Sequence, residues 1–193
     1  PVRPSKTIGV GLNYLSHIRE MGHATPESPM LFMKPPTGVI GHGDSIVYPK
    51  IGRKVEYEAE LVAVIGKPAR HVAEEEALDY VLGYTCGNDV SERVIQFAEM
   101  KSGSMLVGKG FDTFCPLGPV IATDLDPTNL DVMARLNGEP RQNGNTSDLL
   151  FSVAKLVSYL SEVMLLLPGD AIMTGTPSGV GPIAPGDVVE IEI

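Results

Sequence analysis

The sequence predicts an α+β fold with a mixed, curled β-sheet, and three observations predict it. Apolar, strand-like segments outnumber helical ones along the 193 residues. Frequent turn residues, 21 Gly and 16 Pro, divide the chain into short elements. No regular crossover helix separates successive strands, which argues against a doubly wound parallel sheet. A chain of this length is typical of one domain, so we expect residues 1–193 to form one.

Composition excludes several classes of protein. With 15 basic and 24 acidic residues, the formal net charge is -9, which argues against a nucleic-acid partner. No apolar run approaches the ~20 residues of a membrane span, so we expect no membrane partner. The two cysteines fit a reducing compartment, and we expect a cytoplasmic protein. Because the sequence starts at Pro1 and Val188–Ile193 resembles an unfinished strand, we also expect a chain trimmed at one or both ends.

The first third of the chain contains the strongest predicted strand. Residues 8–12 predict a strand and Tyr14–Met21 a short helix, followed by a Pro-rich connection over 26–36 that resists regular structure. In Arg53–Ile65, charged and apolar residues alternate before the apolar run 62–65. This pattern is typical of a strand that enters the core.

The middle of the chain predicts two helices with a strand between them. Glu74–Tyr80 carries acids at its N-terminal end, where the helix dipole favours them. Leu82–Cys86 predicts a strand that ends at Gly87-Asn88-Asp89. We expect the next helix to begin there and to run through Ser91–Met100.

The last third of the chain predicts a hairpin and the clearest helix. Asn-Gly between Val132–Leu136 and Glu139–Gln142 is typical of a hairpin turn. Pro140 restricts the second of these strands to a sheet edge. Apolar residues recur at three- and four-residue spacing in Ser147–Met164, which predicts a helix. Two Pro-Gly-Asp turns follow, and each precedes an apolar strand.

A row of carboxylates is the first candidate site. Glu56, Glu58 and Glu60 lie two residues apart on a predicted strand and therefore share a face. A solvated sheet face would explain them, but the abrupt change to a buried run indicates the floor of a cleft. A divalent cation would relieve their repulsion, and oxygen ligands favour Mg²⁺, Mn²⁺ or Ca²⁺. Asp89 could be a further ligand, although its spacing from Glu92 favours a helix N-cap.

Three further candidates each have a simpler explanation. His17 and Glu20 lie on one face of a short helix, as a carboxylate-oriented general base would, or as an exposed ion pair would. Lys109 lies between two glycines, where a ligand could approach, or it is an ordinary surface lysine. Thr176, within the small-residue loop 175–179, could bind a carboxylate, or the loop is only a tight turn.

The order of six segments is more specific than any single motif. They are GLNYLSHIRE (11–20), FMKPPTGVIGHGDSI (32–46), EYEAELVAVIGK (56–67), GYTCGNDVSER (83–93), KGFDTFCPLGPVI (109–121) and LLPGDAIMTGTPSGVG (166–181). In this order, which covers most of the chain, they resemble the fumarylacetoacetate hydrolase family. The resemblance implies the family's mixed β-roll catalytic domain, of the α+β class, over residues 1–193. It also implies a homodimer.

The resemblance assigns roles to nine residues. Those that match the family's ligands for Mg²⁺, Mn²⁺ or Ca²⁺ are Glu58, Glu60 and Asp89. Those that match the pair activating water in acylpyruvate-cleaving members are His17 and Glu20. Those that match substrate contacts are Gln96, Lys109 and Thr176, with Lys34 at the family's basic position. Lys109 would also stabilise the charge of a developing enolate.

The chain departs from the family pattern at several positions. Glu56 stands where members often have Asp, and Val94 stands where they often have an acid. Met105 and Leu106 replace a common aromatic pair, and the chain has no tryptophan. These differences indicate a changed pocket wall and leave the substrate open.

The resemblance implies hydrolysis of an acylpyruvate or related 2,4-dioxo acid to pyruvate and a carboxylic acid. The expected partner is therefore a small anionic 2-oxo acid. Decarboxylation of oxaloacetate and isomerisation of 2-hydroxyhepta-2,4-diene-1,7-dioate are alternatives within the family. A non-catalytic protein that binds a metal and a 2-oxo acid is an alternative of another class. The pair His17 and Glu20 favours hydrolysis.

Overall fold

The computed structural model describes residues 4–22 and 24–193, and strands dominate it as predicted. The strands are β1 (Thr7–Gly11), β2 (Met30–Lys34), β3 (Val39–Ile40), β4 (Val55–Tyr57), β5 (Ala59–Ile65), β6 (Val81–Asn88), β7 (Ser91–Glu92), β8 (Cys115–Ala122), β9 (Asp131–Leu136), β10 (Glu139–Asn145), β11 (Ala171–Met173), β12 (Gly181–Pro182) and β13 (Val189–Glu192). The α-helices are α1 (Leu15–Met21), α2 (Arg93–Met100) and α3 (Val153–Val163). Short 3₁₀ helices occupy Pro36–Gly38, Glu74–Tyr80 and Thr146–Asp148.

The strands form one large mixed sheet and two small ones. The large sheet has the order β2-β1-β11-β5-β6-β8-β3. Within it β1 runs parallel to β11 and β3 parallel to β8, whereas the other neighbours are antiparallel. The small sheets have the orders β10-β9-β13 and β12-β4-β7. This topology confirms the predicted mixed sheet and α+β class.

The main core lies between the large sheet and α3. Every residue of the central strand β5 is buried. Leu61, Ala63 and Ile65 of β5 join a cluster that includes Leu156 and Leu160 of α3. Full burial of one such large apolar side chain contributes about 1.5–3 kcal/mol, so this layer contributes strongly to the stability of the large sheet.

The strand predicted over Arg53–Ile65 begins two residues later, at Val55, and the structure breaks it at Glu58. The backbone N–H of Glu58 donates to Oδ1 of Asn88 at 3.0 Å, and its carbonyl accepts from the N–H of Asp89 at 2.9 Å. The chain therefore leaves the small sheet of β4 and enters the large sheet as β5. Glu58 lies at the junction.

Two predicted helix starts are also wrong, in each case because another residue supplies the cap. The helix expected to begin near Asp89 begins at Arg93, where the carboxylate of Glu92 accepts from the N–H of Ile95 at 2.6 Å. Asp89 is therefore not the N-cap. The helix expected from Ser147 begins at Val153. A hydroxyl can satisfy a free N–H at a helix start, and Oγ of Ser152 accepts from the backbone N–H of Lys155 at 3.1 Å.

The remaining elements mostly confirm the sequence pattern. The predicted strand at 8–12, helix at 14–21 and hairpin at 132–142 are all present. β10, which contains Pro140, pairs with β9 alone and is the expected edge strand. The segment 74–80 is a 3₁₀ helix, and the Pro-rich connection contains β2, because residues 30–34 pair with β1. Of the helices in the described residues, none has the length and apolarity needed to cross a membrane.

Asp170 joins the turn before β11 to the start of β1. Its carboxylate accepts from Oγ of Ser5 at 2.5 Å and from the N–H of Leu167 at 2.7 Å, and it pairs with Lys6. Although burial opposes ionisation, these partners lower the pKa of Asp170. Its contribution to stability is therefore present above the unfolded pKa and is lost as the pH falls through the lower folded pKa.

We predict that Asp170→Asn lowers the free energy of unfolding by about 1–3 kcal/mol at neutral pH, because charged hydrogen bonds are lost. The difference from the unsubstituted chain should shrink as the pH falls below about 4, where the carboxyl is protonated in the unfolded chain before it is protonated in the folded one. Urea unfolding at pH 7 and pH 3 measures both values. Asp79→Asn, at an exposed position of the 3₁₀ helix 74–80, is the control and should change little. Equal losses from Asp170→Asn at both pH values would contradict this account.

Candidate active site

Three carboxylates lie together at the junction of β4 and β5. Glu58, Glu60 and Asp89 each present an oxygen atom within 4.8 Å of the others. These residues are 5%, 1% and 1% exposed, and Glu56 is 4% exposed, so the predicted row of Glu56, Glu58 and Glu60 is not a solvated sheet face. The break at Glu58 and the end of β6 bring these side chains together. Residue spacing along one strand could not predict that Asp89 joins them, because Asp89 follows a different strand.

Three cations compensate the buried negative charge. Nζ of Lys109 lies 2.9 Å from Oε2 of Glu58 and 2.6 Å from Oδ2 of Asp89, so Lys109 is not a surface lysine. Nη2 of Arg93 lies 2.5 Å from Oε1 of Glu58, and Lys34 pairs with Asp89. Burial opposes ionisation of Glu58, but Lys109 and Arg93 lower its pKa below the usual range.

Glu60 is the least compensated of the three acids. Burial and then the charges of Asp89 and Glu58 raise the pKa of Glu60 well above its usual range. Its Oε2 accepts from the N–H of Gly175 at 2.8 Å. Gly175 has φ +100° and its added Cβ would lie 2.8 Å from Cβ of Asn13, so only glycine fits this contact. The loop after β11 is thereby fixed against Glu60.

Arg93 is a site residue that sequence reasoning missed. Besides Glu58, its Nε donates to Oε2 of Glu56 at 2.6 Å and its Nη1 donates to Oε1 of Gln96 at 2.7 Å. One guanidinium thus joins two carboxylates and the expected substrate contact Gln96. The spacing of Arg93 and Gln96, three residues apart on a helix, was the available signal.

The loop that carries Lys109 is held against α2. The carboxylate of Glu99 accepts from the N–H groups of Val107 at 2.8 Å and Gly108 at 2.7 Å. A Cβ added to Gly108 would lie 2.6 Å from the backbone nitrogen of Gln96. Glycine therefore allows the close approach that directs Lys109 inward.

The pair His17 and Glu20 forms as predicted, with the histidine buried and the glutamate exposed. Nδ1 of His17 lies 3.0 Å from Oε2 of Glu20, and the side chains are 9% and 43% exposed. The start of α1 is held by the N–H of Ser16, which donates to Oδ2 of Asp148 at 2.8 Å. Because the Glu20 carboxylate accepts the Nδ1 proton, Nε2 of His17 is left as the basic nitrogen.

Thr176 is oriented by a residue that sequence reasoning did not identify. Nε2 of Gln142 donates to Oγ1 of Thr176 at 2.7 Å, while Oε1 of Gln142 accepts from the N–H of Ala59 at 2.8 Å. Since the hydroxyl oxygen already accepts a hydrogen bond, its proton is free to be donated to a ligand. A buried Gln on an edge strand otherwise dominated by polar residues gave no distinctive signal.

One cavity of about 40 Å³ joins these groups. Six of the nine expected site residues line it: His17, Glu58, Glu60, Gln96, Lys109 and Thr176. Asp89 and Lys34 are each 1% exposed and lie behind them, with Nζ of Lys34 also donating to the carbonyl of Val90 at 3.0 Å. Glu20 reaches the cavity only through His17.

The chemistry of the cluster fits a divalent cation. Three buried carboxylates within 4.8 Å of one another repel, and a cation among them would compensate that charge. Hard carboxylate oxygens without Cys or His are ligands typical of Mg²⁺, Mn²⁺ or Ca²⁺. Burial and the neighbouring charges of Asp89 and Glu58 raise the pKa of Glu60, and a bound cation would favour its ionised form.

The fold and the site together define an α+β domain with a carboxylate centre at the base of a cavity. The model of the fumarylacetoacetate (FAA) hydrolase C-terminal family matches residues 6–193, so the chain belongs to this family. Relatives in the family carry the names of enzymes, namely hydrolases, isomerases and a tautomerase.

Three similar proteins illustrate the range of these activities. Fumarylpyruvate hydrolase from Pseudomonas aeruginosa, solved in complex with Mn²⁺ and pyruvate, is 36% identical with a TM-score of 0.91 over 98% of this chain and 84% of that chain. 2-Hydroxyhepta-2,4-diene-1,7-dioate isomerase from Mycobacterium marinum is 44% identical with a TM-score of 0.90, over 100% of this chain and 71% of that chain. The mitochondrial oxaloacetate tautomerase Fahd2a of Rattus norvegicus is 41% identical over 99% of this chain and 64% of that protein.

We predict that Mn²⁺ raises the melting temperature of this chain and that Glu60→Gln abolishes the increase. Ligand at a hundredfold excess over Kd contributes about 2.7 kcal/mol, or roughly 5–10 °C for a domain of this size. Without metal, Glu60→Gln should keep nearly full stability, because it removes one of three mutually repelling groups and the amide oxygen can still accept from the N–H of Gly175.

Differential scanning fluorimetry with Mn²⁺ and with a chelator measures this effect. Glu56→Gln is the matched control, because Glu56 belongs to the same row but pairs with Arg93 outside the cluster. We expect Glu56→Gln to keep the increase. A full increase in Glu60→Gln would remove Glu60 from the ligand set.

Proposed function

We propose that this chain hydrolyses a carbon–carbon bond of acylpyruvates or related 2,4-dioxo acids, using a divalent cation. The observation that carries the proposal is that His17, oriented by Glu20, lines the same cavity as Glu58 and Glu60. A general base and a carboxylate centre in one cavity suit the attack of water on a carbonyl next to a chelating 2-oxo acid. The similarity to a fumarylpyruvate hydrolase solved with Mn²⁺ and pyruvate supports it.

The carboxylate centre would hold the 2-oxo acid end of the substrate. Glu58, Glu60 and Asp89 would bind the cation, which when bound polarises the 2-oxo group and offsets the negative charge of an enolate. The free hydroxyl proton of Thr176 can be donated to the substrate carboxylate. Lys109 supplies a fixed positive charge, because its contacts with Asp89 and Glu58 raise its pKa although burial opposes it.

His17 would act on water at the more distant carbonyl. Its Nε2 accepts a proton as the water oxygen bonds to C4 of the substrate, and Glu20 stabilises the resulting imidazolium. The C3–C4 bond then breaks, and its electron pair passes to C3 to form the enolate of pyruvate. The imidazolium of His17 would return its proton to C3, which releases pyruvate and restores the neutral base, while C4 leaves as the carboxylic acid.

We predict that the chain releases pyruvate from acetylpyruvate with Mg²⁺ or Mn²⁺ and that a chelator stops the release. His17→Ala should lower kcat by about 10²–10⁴-fold, because the general base is lost. The increase in melting temperature with Mn²⁺ should remain, since His17 is not one of the three clustered acids. A lactate dehydrogenase-coupled assay measures the release.

A matched control exists on the surface of the same chain. His71 also pairs with a glutamate, Nδ1 lying 3.1 Å from Oε2 of Glu162, but both side chains are 59% exposed. His71→Ala should therefore keep full activity. Unchanged hydrolysis by His17→Ala would place the base elsewhere, and no release by the unsubstituted chain with Mn²⁺ bound would reject the hydrolase proposal.

Proton transfer without hydrolysis is the second candidate function. The similarity to an oxaloacetate tautomerase and to a dienedioate isomerase favours it, because both names describe rearrangement of a 2-oxo or 2-hydroxy acid. His17 would then move a proton at the carbon next to the 2-oxo group. Ultraviolet absorbance of the enol of oxaloacetate distinguishes this activity, since tautomerisation consumes the enol without releasing pyruvate.

The homodimer and the cytoplasmic location stay predictions.

A further inference from the structure

Charged and apolar side chains both line the cavity, and their distribution along α2 indicates the substrate class. Resting on the proposed function, we infer that the acyl end of the substrate is an uncharged, apolar chain and that the site discriminates against a second carboxylate. The acylpyruvates taken would therefore be monoanions whose carbon chain lies against a methionine-rich wall.

The helix α2 presents four residues to the cavity at positions 93, 96, 97 and 100. This spacing places them on one helix face. Arg93 contacts Glu58 at the carboxylate centre. Met100 lies seven residues further along, which is about 10 Å of helix. The cavity wall on α2 thus changes from charged to apolar with distance from the carboxylates.

Methionine forms much of the apolar wall. Half of the eight methionines in the chain line this one cavity: Met21, Met30, Met100 and Met105. All four are partly exposed, whereas Met173, in the core, is 0% exposed. They come from the end of α1, the start of β2, the end of α2 and the loop after it. Flexible thioether side chains adapt to apolar chains of differing length, which suits the inference.

Each cation that lines the cavity already has an acidic partner. Among the described residues lining it, these cations are Arg93, Lys109 and, when protonated, His17. Arg93 binds Glu56 and Glu58, Lys109 binds Glu58, and His17 binds Glu20. A second carboxylate on the acyl chain would face methionine and phenylalanine instead. Burying an unpaired charge there is unfavourable, whereas burying methylene groups is favourable.

The test compares two 2-oxo acids that differ only at the far end. 2-Oxooctanoate and 2-oxooctanedioate have equal chain lengths and lack the 4-oxo group, so neither can be hydrolysed. We expect isothermal titration in the presence of Mg²⁺ to give at least tenfold tighter binding of 2-oxooctanoate. The kcat/KM values for hexanoylpyruvate and its terminal carboxylate analogue should differ in the same direction.

A substituted helix end makes the test specific. Met100→Lys places an ammonium group on the apolar part of the α2 wall, at a helix C-terminus where a cation is tolerated. Met100→Lys should reduce the ratio of the two affinities, 2-oxooctanoate over 2-oxooctanedioate, at least threefold by improving the binding of 2-oxooctanedioate. Met33→Lys is the control, because Met33 is 46% exposed on β2 outside the cavity, and it should keep the preference.

The outcomes separate this inference from the proposed function. Equal or tighter binding of 2-oxooctanedioate to the unsubstituted chain, or binding of neither acid, would overturn the inference. Hydrolysis of acetylpyruvate together with either of those results would leave the hydrolase proposal standing. Tighter binding of 2-oxooctanoate without hydrolysis of any acylpyruvate would support the apolar wall and reject the hydrolase.

Discussion

The mutual repulsion of three buried carboxylates is the constraint on which the rest of the structure depends. Oxygen atoms of Glu58, Glu60 and Asp89 lie within 4.8 Å of one another at a place with almost no solvent. Ionised carboxylates in such a place need opposite charges within a few ångströms. Arg93 of α2 and Lys109 of the loop after it supply these charges. A cation binding among the carboxylates would act in the same direction.

The acids lie at or beside central strands of the large sheet, and shorter segments supply the side chains on the opposite wall of the cavity. Glu60 lies on β5, the buried strand at the centre of the large sheet, and Glu58 lies where the chain changes sheets. The residues that complete the cavity come from short or irregular segments, including the seven-residue α1 that carries His17 and the loop that carries Thr176. The carboxylates therefore lie at or beside the central strands, whereas the groups that face them come from surrounding segments.

Sequence patterns predicted local structure well and the surroundings of the site poorly, for a physical reason. Apolar alternation and turn residues report burial and backbone conformation within a few residues, so the hairpin at 132–142 and the helix at 14–21 were found. The cap at Glu92 was missed because the Asp89 pattern was locally as good, and the buried charges that occupy Asp89 come from 20 and 55 residues away. Similarly, the role of Gln142 depends on contacts with Ala59 and Thr176 that no local pattern encodes. The family resemblance supplied Asp89 as a ligand, where periodicity favoured the cap.

The division of the cavity also explains how one family can carry names for hydrolysis, isomerisation and tautomerisation. On the proposed function, the carboxylate centre would recognise a shared 2-oxo acid end, and its residues are buried and paired with cations. On the inferred substrate orientation, the far end would meet uncharged side chains at the ends of short elements, such as Met21 and Met100. A change at Met100 would alter one wall without disturbing the balance among buried charges, because Met100 lies about 10 Å along α2 from Arg93, which pairs with Glu58. Substrate choice can therefore vary with wall residues while the chemistry of the 2-oxo acid end is retained.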